Sequence, residues 1–247
     1  MLYAALRAPY SGAAVSERRI AAFFDVDHTL IEVNSGRKWV EYLRATGRIS
    51  VPEMLKAIWW LAQYRLSLLD YDAVTEEVVR SYAGQRIADL EAEVHDWFAR
   101  EIQPTVCRQS YERVKWHREQ GHVTAMLTSG VVFSTKPLQD LMQIDHLLCT
   151  EIEIKSGELT GRYFPPACYG EGKLRAALDL ARRENIDLDG SYFYTDSYSD
   201  LPMLERVGFP RVVNPDPRLR RHSEKVGWGF ETWRAEKLMT GEAETRA

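Results

Sequence analysis

Apolar and polar positions along the chain fall into two regimes. Ile20-Ala21-Ala22-Phe23-Phe24 is a short unbroken apolar run, and His122-Val123-Thr124-Ala125-Met126-Leu127, Ser191-Tyr192-Phe193-Tyr194-Thr195 and Arg211-Val212-Val213 are of the same type. Such runs, β-branched or aromatic in part and bounded by turn residues, predict buried strands, and residues 147–150 predict another. Glu151-Ile152-Glu153-Ile154-Lys155 alternates, Ser156-Gly157 turns, and residues 159–164 return, which predicts a hairpin. Between the strands the spacing is helical, over 107–120, 133–142, 171–184, 201–207 and 217–225.

One long stretch has no strand signal. Residues 37–46 carry Trp39, Val40, Tyr42 and Leu43 on one broad face and stop at Gly47. Residues 54–66 are apolar almost all round, with Pro52 in a position that a first helical turn tolerates. A helix of that kind needs partners on more than one side, so burial inside a small helical bundle is expected rather than a membrane-surface role. Residues 70–82 and 86–102 add two more amphipathic helices, so a helical block covers 33–103. Strand and helix alternate on both sides of it, the pattern of an open, mostly parallel α/β sheet.

Composition changes this picture little. The chain has 247 residues, 45% apolar and 28% charged, with a net charge of −4, so no nucleic-acid partner is expected. Cys107, Cys149 and Cys168 form no CxxC pair and no disulfide framework, which favours a reducing compartment. Residues 1–16 lack the apolar core of a signal peptide, and no run of about twenty apolar residues suggests a transmembrane helix. A cytoplasmic location is expected, and association into a homodimer is left open.

The candidate chemistry lies at strand ends, where ligands of open α/β sheets bind. Asp25, Asp27 and Thr29 follow the first apolar run, Ser129 and Gly130 the second, and Asp196, Ser197 and Asp200 a later one; Lys173 opens a helix. Two carboxylates this close repel unless a cation lies between them, and oxygen donors suit Mg²⁺. One carboxylate of the pair can attack phosphorus while the other protonates the leaving alkoxide. Asp196 can complete a metal site, and Ser129, the backbone at Gly130 and Lys173 can hold a phosphate.

With these residues in view, the chain resembles the haloacid dehalogenase superfamily of phosphatases, subfamily IB, the branch of phosphoserine phosphatases and some histidinol-phosphate phosphatases. Asp25-Val26-Asp27-His28-Thr29 is similar to the first motif, Leu127-Thr128-Ser129 to the second, Lys173 to the third and Asp196-Ser197-Tyr198-Ser199-Asp200 to the fourth. The resemblance implies a Rossmann-like core over 17–32 and 104–233, an inserted helical cap over 33–103, and loosely ordered termini at 1–16 and 234–247. It implies Asp25 as nucleophile and Asp27 as general acid/base. Thr29, Ser129, Gly130 and Lys173 would bind phosphate. Mg²⁺ would rest on Asp25, the Asp27 carbonyl and Asp196, with Asp200 helping through water.

Two positions depart from the pattern. Thr195 stands where the fourth motif usually has glycine, and Asn34 stands where phosphoserine phosphatases carry a glutamate that reads the substrate's amino group. On the substrate side Asn34, Arg37, Trp39 and Arg162 are candidates. The function so implied is Mg²⁺-dependent hydrolysis, through an aspartyl-phosphate, of a small phosphoserine-, histidinol-phosphate- or amino-alcohol-phosphate-like monoester. Phosphoryl transfer to an acceptor other than water, and a protein- or membrane-binding module on the same fold, are the alternatives. His28 gains no role.

Overall fold

A computed structural model describes residues 18–65 and 71–235. The chain runs β1 (Ala21–Phe24), α1 (Ser35–Ala45), α2 (Val51–Arg65), α3 (Tyr71–Ser81), α4 (Ile87–Trp97), α5 (Arg108–Glu119), β2 (Val123–Val131), α6 (Val132–Met142) and β3 (His146–Thr150). It continues through β4 (Ile152–Lys155), β5 (Glu158–Tyr163), α7 (Glu171–Arg183), β6 (Tyr192–Thr195), α8 (Leu201–Arg206), β7 (Phe209–Val213), α9 (Pro217–Val226) and β8 (Phe230–Glu231). The expectation of loose ends at 1–16, and at most of 234–247, falls outside the described residues.

The main sheet has the order β3-β2-β1-β6-β7-β8, and every neighbouring pair is parallel. β1 is central because its side chains serve both faces. Ala22 and Phe24 join the core formed with α4, α5 and α6, whereas Ala21 and Phe23 join the core formed with α7, α8 and α9. An unbroken apolar run is what a strand covered on both faces requires. The chain builds outward from β1 to β2 and β3, then crosses to β6, β7 and β8. This reversal opens a crevice at the carboxyl ends of β1 and β6.

The helical cap is inserted between β1 and β2. Asn34 starts α1, its Oδ1 accepting from the Arg37 amide at 2.8 Å. Ser50 and Glu53 start α2 as a reciprocal capping box, Ser50 N and Oγ donating to Glu53 Oε2 at 2.7 and 2.6 Å. The β4–β5 hairpin forms its own two-stranded sheet and packs against α3.

Two expectations change. The strand predicted to end at Leu127 continues to Val131, with a register shift against β3, so Ser129 and Gly130 belong to its irregular end rather than to a turn. The burial expected for the second cap helix does not hold. Leu55 is 58% and Trp59 64% exposed, and Val51 and Ile58 are exposed beside them. α1 covers one side of α2, and among the described residues nothing covers this stripe. No described helix is long and apolar enough to cross a membrane. β8, which extends the sheet edge through pairs with Val212 and Val213, is too short to announce itself in the sequence.

His117 of α5 is fully enclosed beneath the sheet, with Nδ1 2.8 Å from His122 Nδ1 and Nε2 2.9 Å from the Tyr194 hydroxyl. Burial, reinforced by His122 and two arginines, pushes it down to about 3. The folded state therefore leaves this imidazole neutral where the unfolded chain, near 6.5, takes up a proton. Its contribution is complete above about pH 6.5 and is lost as pH falls from there toward about 3. Urea melts should show wild type losing about 2 kcal/mol more between pH 7 and pH 5 than His117→Gln does. Equal losses in the two proteins would refute this linkage.

Candidate active site

The site begins where β1 stops. Asp25 N donates to the Tyr194 carbonyl at 2.9 Å, the last rung toward β6, and the chain then turns so that the Leu30 amide reaches back to Val26 O at 2.9 Å. His28 makes this turn with φ of 56°, its carbonyl held by Asn214 Nδ2 at 2.8 Å. Extended geometry thus ends at Val26, and the two carboxylates acquire different surroundings.

Asp25 faces Lys173. The ammonium, 1% exposed, donates to Asp25 Oδ1 at 2.6 Å and to Asp200 Oδ2 at 2.8 Å. Burial alone would push Lys173 down, but Asp200 and Asp25 outweigh it and hold the ammonium above its usual range. The lysine reaches this position because α7 starts tightly against the preceding loop. A Cβ at Gly172 would lie 2.0 Å from the Ala167 carbonyl oxygen, so only glycine fits there. Thr195 has a use that glycine could not supply: its Oγ1 donates to Asp200 Oδ2 at 2.6 Å and accepts from Ser197 N at 3.1 Å.

Asp196 is enclosed beside them. Burial, followed by the charges of Asp25 and Asp200, pushes its carboxyl well above the ordinary range. Asp200 Oδ1 is buried and has no hydrogen-bond partner among the described residues. Crowded oxygen acceptors and one cation that does not reach Asp196 fit a hard divalent ion. Among the described residues no three His, Cys, Asp or Glu side chains form a ligand cluster.

Asp27 belongs to the cap side. Its Oδ2 accepts from Asn34 Nδ2 at 2.8 Å and its Oδ1 from the Ser35 amide at 2.9 Å, at the start of α1. Burial raises its carboxyl and the Ser35 hydrogen bonds oppose the rise. Asn34, considered as a substrate reader, instead joins Asp27 to the first turn of α1.

The other predicted residues divide. Ser129 and Gly130 border the cavity next to Asp27. The Ser129 carbonyl accepts from the Tyr71 hydroxyl at 3.2 Å and from Thr150 Oγ1 at 2.9 Å, and the Gly130 amide donates to Thr128 Oγ1 at 3.2 Å. A Cβ at Gly130 would meet Thr135 Cγ2 at 2.8 Å. Thr29 is fully enclosed and its Oγ1 has no hydrogen-bond partner among the described residues. Trp39 lines the cavity and donates to the Tyr82 hydroxyl at 2.7 Å. Arg37 borders a second opening beside Asp27 but is bound to Glu41 at 2.9 Å. Arg162 is a correction: it is paired with Glu153 at 2.8 Å on the hairpin, and other residues line the cavity.

Sequence reasoning missed Asn214 and Asp216. Asn214 ties the His28 carbonyl to both backbone groups of Trp233, at 3.0 Å each. Asp216 caps α9 through the Arg218 and Leu219 amides, accepts from the Tyr198 amide at 2.7 Å, and donates its own amide to the Asp196 carbonyl at 2.8 Å. The Asp216-Pro217 helix start was the available signal; its second bond, to the Asp196 loop, had none.

Comparison with known proteins gives the family and the fold. The family model described as haloacid dehalogenase-like hydrolase matches residues 22–205. A histidinol-phosphatase from Neisseria meningitidis serogroup C is 32% identical over 213 residues, which are 84% of this chain and 96% of that one. A Bordetella pertussis protein of unknown function superimposes with a TM-score of 0.78 at 29% identity, over 87% of this chain and 98% of that one. A phosphoserine phosphatase solved as a phospho-aspartyl intermediate analogue has the same fold, with a TM-score of 0.63 at 20% identity over 83% and 91% of the two chains. With its strand-end carboxylates, its buried lysine and its inserted cap, the chain belongs to the haloacid dehalogenase-like hydrolases.

Proposed function

We propose that the protein is a Mg²⁺-dependent phosphatase that hydrolyses a small phosphorylated metabolite through an aspartyl-phosphate on Asp25. The observation that carries this reading is the separation of the two first-loop carboxylates. Asp25 is bound to a buried ammonium, whereas Asp27 is held by Asn34 and the α1 amide. Paired carboxylates in contrasting environments take different protonic duties. The set is intact, which supports an enzyme over a binding module on an inactive fold.

In this reading Asp25 Oδ attacks phosphorus and the bond to the ester oxygen breaks. Asp27 delivers its proton to the departing alkoxide and then takes one from the water that attacks the aspartyl-phosphate, releasing inorganic phosphate and free Asp25. Lys173 and Ser129 hold phosphoryl oxygens, and Asp200 keeps Lys173 aimed. Mg²⁺, when bound on Asp25, the Asp27 carbonyl and Asp196, neutralises the carboxylates and polarises the phosphoryl group. The helices over 33–103 act as the cap that shields the site from water. The names of the relatives make histidinol phosphate and phosphoserine the first substrates to test.

Asp25→Asn should lower turnover of p-nitrophenyl phosphate by about a thousandfold or more while the circular dichroism melt is kept. A variant that retains wild-type turnover would refute the nucleophile. Asp27→Asn should give a burst of nitrophenolate equivalent to enzyme and then stall, because this leaving group needs no proton but the aspartyl-phosphate still needs a base. A linear time course at the wild-type rate would exclude that role. Saturating Mg²⁺ should raise the melting temperature by about 5 °C or more. Asp196→Asn should abolish that shift while raising the metal-free melting temperature, since it removes one of the crowded charges. A Mg²⁺ shift that persists in Asp196→Asn would place the ion elsewhere.

A further inference from the structure

We propose that the group released by this site is uncharged and apolar and about the size of a six-membered ring, an inference that rests on the phosphatase reading above. A cavity of about 200 Å³ lies between cap and core. Through the shared Trp39, Tyr71, Ser129 and Gly130 it adjoins a second cavity of about 230 Å³ that Asp27 and Thr128 also line, so the two lead to the carboxyl that would protonate the leaving oxygen. The walls of the first are Trp39, Tyr71, Val74, Val79, Trp97 and Phe133. An apolar cavity of about 150 Å³ accepts benzene, so this one accommodates a ring or about six to eight carbons.

Charge decides the class. Among the described residues, Asp27 alone brings a charged side chain to these cavities, and its two oxygens are bound to Asn34 and Ser35. Two of the wall's polar groups are occupied with its other residues: the Tyr71 hydroxyl donates to the Ser129 carbonyl, and Trp39 Nε1 donates to the Tyr82 hydroxyl. Trp97 Nε1, buried and without a partner among the described residues, adds a donor but no charge. An ammonium on the leaving group would find among the described residues no carboxylate beyond Asp27, whose oxygens are already taken by Asn34 and Ser35, and a carboxylate would find no cation. Either would lose its hydration uncompensated. Asn34, the position nearest to an amino-group reader, has its amide on Asp27 and its carbonyl on the Arg37 amide.

Another opening at Asp27 differs. It is lined by Asp196 and Asp216 with His28 and Arg37. Ile58, Leu61 and Ala62 of α2 join that lining, and its carboxylates, Asp196 and Asp216, make it the more polar of the two openings and the better suited to a metal ion and water. Ala57, Trp60 and Leu61 border the neutral cavity on its α2 side and are apolar as well.

The test uses the full-length protein with Mg²⁺ and a set of alkyl monoesters. From ethyl to hexyl phosphate kcat/KM should rise roughly fourfold per methylene, the equivalent of about 0.8 kcal/mol. 2-Phenylethyl phosphate should exceed phosphoethanolamine, phosphoserine and histidinol phosphate by about a hundredfold. Val74→Asp should narrow or invert the ratio of 2-phenylethyl phosphate to phosphoethanolamine. Should Val74→Asp not fold, Gly36→Val serves, since a Cβ there meets only Asn34 Oδ1 at 3.4 Å and Leu61 Cδ2 at 3.6 Å. It should depress hexyl more than ethyl phosphate. A flat alkyl series, or phosphoserine or histidinol phosphate matching the neutral esters, overturns the inference and leaves the phosphatase reading standing. Hydrolysis of no ester at all sinks the phosphatase reading instead. Calorimetric titration with 2-phenylethyl phosphate and phosphoserine then reads the cavity directly, tighter binding of the former supporting the apolar class and equal binding refuting it.

Discussion

A buried ammonium, that of Lys173, lies between the carboxylates of Asp25 and Asp200 at the end of a parallel sheet, with Asp196 beside them. Carboxylates taken out of water repel one another, and breaking a buried pair costs several kcal/mol. The surrounding backbone is arranged to keep this cation in place. Gly172 lets α7 start against the Ala167 carbonyl, Thr195 fixes Asp200, and Asp216 fixes the Asp196 loop. One lysine does not neutralise the cluster, and that residual negative charge is the physical ground for the proposed divalent ion.

The same arrangement links the cap to the chemistry. Asn34 begins α1 with its carbonyl and orients Asp27 with its amide, so the first turn of the cap sets the direction of the carboxyl beside the cavity. Tyr71, at the start of α3, reaches the Ser129 carbonyl and stacks on Tyr169 at 4.6 Å. Movement of α1 or α3 would therefore be felt at Asp27 and at Ser129. The cap presents apolar and aromatic side chains to the cavity and keeps its charged pairs, such as Arg37 with Glu41, outside.

Much of this was legible in the chain. Strands that are buried on both faces leave short apolar runs, and strand ends leave carboxylates, so β1, β2 and β6 and their loops could be placed from sequence. The departure at Thr195 was visible but its use was not, because the Asp200 oxygen that it meets is brought there by folding. The exposed stripe of α2 was misread for a related reason. An apolar helix states a need for partners, and whether neighbours supply them on every side depends on how the cap packs. Arg162 was a plausible anion reader by residue type alone, and the hairpin gives it Glu153 instead.

The sequence by itself determined the order of strands and helices, the identity of the carboxylates and the lysine, and the place of the helical insertion, because periodicity and residue chemistry are local. Only the tertiary structure decided which carboxylate faces Lys173 and which faces the first turn of α1. Only it decided that the neutral cavity opens beside Asp27, and that Asn214 and Asp216 support the loops of His28 and Asp196. These are contacts across 7 to 186 positions of chain, and which residues meet at such separations is set by the path of the backbone.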